Sequence, residues 1–290
     1  MVEEENTYIF NTESALEMAR LINQERMITT AMGGALSGIP ELPPQAQVLD
    51  LGCGPGGWAL DVAFARPDAD VAGVDISKTM ISYANARARS QALRNVSFGV
   101  MDIRQPLDFS NETFDLVNAR FLVVALKRED WEPFLAECSR ILKPGGILRF
   151  TEPVDFGITN SIICERVMAL LSQALWKNGY GFSVDGRTYG MTTTLPGLFR
   201  AAGYRQVHAQ AHVIEFSAEQ NAWQEVYDNY QAAAVDAPSL YVKAGLATQE
   251  EMAQLSQQFL LEMRSPDFRA MWHLVTILGT KPSAPKEPNR

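Results

Sequence analysis

The stretch Val48-Leu49-Asp50-Leu51-Gly52-Cys53-Gly54-Pro55-Gly56-Gly57 decides the reading of this 290-residue chain. Its first four residues read as a buried strand, and the glycines behind them allow a tight strand-to-helix turn with close approach of a ligand to the backbone. Gly52, Gly54 and Gly57 match G-x-G-x-x-G, the pattern of dinucleotide-binding turns, which alone leaves an ordinary turn open. Asp50 discriminates. Two residues before the first glycine, an ionised carboxylate would repel a pyrophosphate and attract a ligand bearing an ammonium and a sulfonium. The strand-end acid points to a cationic, phosphate-free nucleoside; a nicotinamide-dependent oxidoreductase is the competing reading of the glycines.

Outward from this turn, short apolar runs alternate with helical patterns, which predicts an α/β fold with a doubly wound, mostly parallel sheet. Asp70 to Asp75 is the second strand, and Ser77 caps a helix carrying Met80, Ile81 and Ala84. Val96 to Val100 and Phe114 to Val117 are the third and fourth strands. Trp131, Phe134, Leu135, Cys138, Ile141 and Leu142 form one helical face that Pro144-Gly145-Gly146 stops, and Ile147 to Thr151 is the fifth strand. Ahead of this core, residues 1–45 form an N-terminal helical arm with a Ser14-x-x-Glu17 capping box. Behind it, 154–280 hold helices over about 160–190 and 219–264, with strands near Val207 to Phe216 and His273 to Leu278. Residues 281–290 read as a frayed tail.

Composition narrows the class. With 47% apolar and 20% charged residues the chain can bury a core. A net charge of −9 argues against a nucleic-acid or anionic-membrane binder, since phosphate neutralisation needs surplus Lys and Arg. The acidic start Met1-Val2-Glu3-Glu4-Glu5 is unlike a secretory leader, and no apolar run reaches the ~18 residues of a membrane span. Cys53, Cys138 and Cys164 lack framework spacing and fit reduced thiols, hence a cytoplasmic protein.

Two further acids follow strand ends. Asp75 lies 25 residues after Asp50, near the ~20-residue offset at which an acid meets ribose hydroxyls; it also precedes the Ser77 cap, where it would favour the helix N-terminus. Asp102 follows the third strand and could accept from an adenine amine or serve as a turn residue. Ile76, Met80 and Ile103 would wall the ring. Val48 to Gly56, Gly73-Val74-Asp75, Met101-Asp102, Phe114 to Val117 and Leu142-Lys143-Pro144-Gly145-Gly146 together resemble the successive motifs of class I S-adenosylmethionine-dependent methyltransferases, closest to the small-molecule group that includes ubiquinone and menaquinone methyltransferases.

That resemblance covers 46–153 and implies a Rossmann-like seven-stranded sheet with a final antiparallel strand and a helical lid insertion. Asp50, Gly52 and Gly54, with Cys53 and Gly56 in the same loop, would meet the methionine end of S-adenosylmethionine. Asp75 would bind the ribose, Ile76 would lie beside the adenine, and Asp102 at its amine. Asn118 matches the position whose backbone lies near the sulfonium. Tyr8 and Arg26 are candidates to close over the cofactor, Arg26 by pairing its carboxylate; packing for Tyr8 and a solvated helix face for Arg26 stay open.

The acceptor side is less defined. Trp176, Tyr180, Phe182, Tyr189, Trp223, Tyr227 and Tyr241 suit a largely apolar small molecule, although Trp223, Tyr227 and Tyr230 also fit core or homo-oligomer packing. Candidate bases are Glu152, Asp155, Tyr189 and His208, none fixed by spacing. His208 and His212 sit on a strand without a third ligand, so no metal is expected. The fourth strand runs into Asn118-Ala119-Arg120-Phe121 and lacks the Pro-Pro-aromatic stretch of nucleobase amine methylation. A repurposed fold, cyclase or non-catalytic, is the remaining alternative.

Overall fold

The computed structural model describes residues 9, 14–183, 185–236 and 238–283. A buried, mostly parallel sheet forms from β1 (Gln47–Leu51), β2 (Asp70–Asp75), β3 (Val96–Val100), β4 (Phe114–Arg120) and β5 (Leu142–Pro153), joined by β8 (Ala270–Thr280), which runs antiparallel to β5. Their order is β3-β2-β1-β4-β5-β8. β7 (Arg205–Glu215) closes the far side of β8, and the two-residue β6 (Ile158–Thr159) continues on the β5 side. The sheet thus has seven long strands, as the motifs imply, and one short extra strand.

Helices α2 (Gly57–Ala65), α3 (Lys78–Ser90) and α4 (Trp131–Ile141) are the crossovers of the parallel part. α1 (Ala15–Ala31) precedes the sheet. α5 (Ile162–Lys177) and α6 (Met191–Ala201) follow β6, and α7 (Trp223–Asp236), α8 (Pro238–Lys243) and α9 (Gln249–Met263) lie between β7 and β8. The chain leaves β1 toward β2 and β3, then returns to lay β4 on the other side of β1. Strand order therefore reverses between β1 and β4, which opens a crevice at their carboxyl ends.

Local chemistry explains most boundaries. The Ser77 hydroxyl accepts from Met80 N and caps α3. Ser14 caps α1, while Glu17 accepts from both Nε and Nη2 of Arg20. Two starts differ from the sequence expectation. β5 begins at Leu142, paired with Phe114; the Pro144-Gly145 stretch then loops out, and regular pairing resumes at Ile147. The sequence places a short helix over Leu195 to Ala202, but α6 begins at Met191 behind a left-handed Gly190, so Pro196 falls inside the helix and not at its start.

Gly56, expected at the ligand, serves packing instead. It caps α2 with φ of 83°, and a Cβ there would lie 2.8 Å from the Phe98 ring and 2.9 Å from Ala84. Phe98 of β3 is thereby wedged against the glycine turn. Gly56→Ala combines a left-handed penalty with overpacking and should cost about 3 kcal/mol, read by urea denaturation; wild-type stability in that variant would show that Phe98 and α3 yield freely.

Candidate active site

The crevice is lined by the ends of β1, β2 and β4, the segment after β3, and one stripe of α1. That stripe is Arg20, Leu21, Gln24, Glu25 and Ile28, a helical spacing that turns one face of α1 over the glycine loop. Glu25 accepts from Gly57 N at 2.9 Å and from Arg87 Nη1 at 2.7 Å, which stitches α1 to α2 and α3. A Cβ on Gly57 would fall 2.0 Å from the Glu25 carboxyl, so the last fingerprint glycine makes room for this contact.

Asp50 lies at the base of the crevice, 4% exposed, with Oδ1 accepting from Asn118 Nδ2 at 2.7 Å. Burial pushes its carboxyl up to about 6, against the pull of Arg120 and the Asn118 bond. Gly52 and Gly54, with φ of 65° and 52°, and Cys53 stand beside it on the wall. The Cys53 thiol is held far above its ordinary range by burial and is no nucleophile at neutral pH. Asp75 Oδ2 accepts from Gly54 N and Oδ1 from Ser77 N, both at 2.9 Å. Asp75 thus fastens the glycine loop, supports the start of α3 and borders the crevice at once, with Ile76 and Met80 next to it.

Asp102 and Ile103 also line the crevice, but Arg104 grips Asp102 with Nε at 3.0 Å and Nη2 at 2.7 Å. An acceptor free for an adenine amine is therefore a shared one. Asn118 does not reach the wall; it is fully buried between Asp50 and Arg149. Arg26 is turned away, exposed and paired with Glu225 of α7 at 2.7 Å. Tyr8 lies outside the described residues.

Three arginines line the crevice, Arg20, Arg104 and Arg120, and sequence reasoning singled out none of them as a site residue. Arg20 is paired with Glu17 and also donates to Asn229 Oδ1 at 2.7 Å, and Arg104 is paired with Asp102. Arg120 donates to Thr29 Oγ1 at 3.0 Å and, among the described residues, has no carboxylate at salt-bridge distance. It shares a strand face with Asn118 two residues earlier, a period-2 signal legible once Asp50 is placed.

None of the four candidate bases lines the crevice. Glu152 is fully buried and accepts from Leu122 N at 2.7 Å and Val123 N at 3.2 Å, so it shapes the turn after β4. Asp155 accepts from Gly157 N at 2.8 Å. The Tyr189 hydroxyl is buried without a partner among the described residues, and its ring meets, edge to face, that of Phe156, which does reach the crevice. His208 is exposed on β7, 3.0 Å from Gln206 O through Nδ1. Among the described residues no three His, Cys, Asp or Glu side chains gather as metal ligands, and no helix is long and apolar enough to cross a membrane.

Residues 48–146 match the methyltransferase domain family. The chain is 36% identical over 147 residues to aklanonic acid methyltransferase DauC of Streptomyces sp. strain C5, covering 50% of this chain and 66% of that one. It is 28% identical over 175 residues to demethylmenaquinone methyltransferase of Lactococcus lactis, covering 57% and 68%. The fold also superposes on phosphoethanolamine N-methyltransferase 2 of Haemonchus contortus, solved with S-adenosyl-L-methionine, with a TM-score of 0.50, 17% identity and coverage of 91% and 52%. Motifs, strand order and these matches identify residues 48–146 as a methyltransferase domain, in the strand arrangement of the class I, S-adenosylmethionine-dependent type. The chain spans about two thirds of the length of these two curated relatives.

Glu152 gives a pH test of this geometry. Its carboxyl titrates near 4.5 ordinarily and is pushed up to about 8 by burial, so the folded state retains a proton that the unfolded chain releases. The stability it contributes is full below the unfolded value and is lost as pH rises toward 8. Between about pH 6.5 and 8, above the Asp50 range, this amounts to about 2 kcal/mol in urea denaturation, and Glu152→Gln should flatten the slope. An equal slope in the variant would mean that Glu152 is ionised in the fold.

Proposed function

We propose that this methyltransferase binds S-adenosylmethionine through Asp50, Arg120 and Asp75 and methylates an acidic oxygen or carbon of a largely apolar, quinone-like or polyketide-like acceptor. The observation that carries the reading is the charge pattern at the switch point. Asp50 and Arg120 stand on adjacent strands, an acid and a guanidinium without a carboxylate partner among the described residues, which suits the zwitterionic end of an amino acid. Asp75 borders the crevice at the end of β2, where a carboxylate suits a ribose diol. Ile76, Met80 and Ile103 supply apolar contact for a base, and Asp102 with Arg104 its polar edge. The donor set fits the cofactor, with Arg120 in the part that Arg26 was expected to take.

When bound, S-adenosylmethionine supplies a methyl group already activated by its sulfonium. The chain's contribution is alignment and exclusion of water, worth effective molarities of ~10⁵ M or more. Leu21 and Ile28 of α1 roof the crevice, and Phe121, Leu122, Val124 and Phe156 give it an apolar side toward α7. The acids on the crevice wall cluster at the cofactor end, and the four candidate bases stand off the wall. An acceptor already ionised near neutral pH, such as a carboxylic acid, fits this arrangement. The acid in the name of aklanonic acid methyltransferase DauC agrees with such an acceptor.

The proposal treats 1–45 as an arm over the cofactor, 46–153 as the cofactor-binding core and the helices of 154–280 as a lid on the acceptor. It also takes the protein to be cytoplasmic, in keeping with three buried free thiols. Titration calorimetry with S-adenosylhomocysteine and with NAD is the primary test; binding of NAD alone would overturn the assignment. Arg120→Met should weaken S-adenosylhomocysteine about 10- to 100-fold and leave methylthioadenosine, which lacks the amino-acid end, at wild-type affinity. Equal losses for both ligands would remove Arg120 from the carboxylate role.

A further inference from the structure

Asp50, Asn118 and Arg149 face one another in register across three adjacent strands, β1, β4 and β5. Arg149 Nη1 donates to Asn118 Oδ1 at 2.6 Å, and Asn118 Nδ2 donates to Asp50 Oδ1 at 2.7 Å. A guanidinium cannot accept and a carboxylate cannot donate, so the amide between them has only one orientation. All three are buried, and Arg149 is 1% exposed.

A central strand covered on both faces ordinarily carries an apolar residue at such a place. Arg149 stands there instead, with no carboxylate at salt-bridge distance among the described residues and with its Nε unpartnered. Its guanidinium lies 6.0 Å over the Trp58 ring of α2. Such a cation is costly to bury, and its single side-chain hydrogen bond is aimed, through Asn118, at Asp50. We propose that Arg149 is a positioning residue for the cofactor: it locks the Asn118 amide so that Asp50 keeps one oxygen tied inward and presents its negative charge to the crevice. This rests on the assignment of Asp50 to the cofactor's amino end.

The other charged groups around the trio set the background for a test. Arg120 on β4 and Glu25 on α1 act on Asp50 with opposite signs, and Asp75 on β2 and Cys53 in the loop stand across from it. Asp61 of α2 and Arg87 of α3 are linked to the same set through Arg120 and Glu25. His212 on β7 faces Arg149 and is held neutral by burial and by that cation. Arg149→Gln removes one charge and leaves the rest in place.

Two measurements decide it. In the protein free of ligand, the carboxyl carbon of Asp50, assigned by comparison with Asp50→Asn, is titrated by carbon-13 NMR. Arg149→Gln should move its midpoint up by about one pH unit. In calorimetry the same variant should bind S-adenosylhomocysteine about 5- to 10-fold more weakly near pH 5.5, recover most of this near pH 8.5, and change the affinity less than about twofold when Asp50 is already Asn. Arg149→Lys should restore most of the loss. An unmoved midpoint, or a loss equal at every pH and undiminished in the Asp50→Asn background, overturns the proposal. Should Arg149→Gln fail to fold, Asn118→Ser cuts the relay at its middle, and an unmoved midpoint there overturns it equally. A wild-type protein that titrates as expected and does not bind S-adenosylhomocysteine sinks the cofactor assignment, and the positioning role with it.

Discussion

A carboxylate enclosed at the end of the central strand is the constraint around which this molecule is arranged. Asp50 lies where the sheet reverses its order, so its negative charge meets little water and must be answered by fixed groups. Two arginines on the neighbouring strands answer it, Arg120 from the crevice side and Arg149 from beneath through Asn118. Near that carboxylate a diphosphate would add repulsion, whereas an ammonium would relieve it.

A second acid organises the loop. Asp75 spends its carboxylate on Gly54 and Ser77, which ties the turn after β1 to the helix after β2. The reading of Asp75 as a helix-start residue and its place on the crevice wall are thus not rivals; one side chain at a strand end supports the loop and borders the crevice. Gly56 and Gly57 divide similar duties. The first admits Phe98 and the second admits Glu25, so the glycine run is as much a packing joint as a ligand cradle.

The parallel core was legible because its strands, caps and stops are local signals: apolar runs, Ser77 ahead of α3, and the helix face closed by Pro144-Gly145-Gly146. What depended on helix phase or strand register was not. Arg26 and Arg20 look alike in sequence, yet only the face of α1 carrying Leu21 and Ile28 turns inward, and that is set by tertiary contact. Arg104 intercepts Asp102 from two residues away in a loop, where no periodicity announces a pair. Asn118 was noticed for its backbone, but its side chain matters through a β1–β4–β5 register that no single strand encodes. Of the candidate bases, Glu152 and Asp155 stand out in sequence by closing the fifth strand, yet Glu152 is drawn into the fold by two backbone N–H groups.

The first helix touches more of the molecule than an appended arm would. Glu25 grips the glycine turn and α3, Arg20 and Arg26 reach α7, and the segment just behind the helix takes the Trp58 indole N–H on Ala35 O. It works as a pin shared by two leaves, the glycine turn with its flanking helices on one side and α7 on the other. A substitution that loosens the pin therefore disturbs both leaves at once, so the first helix carries a share of the order of each.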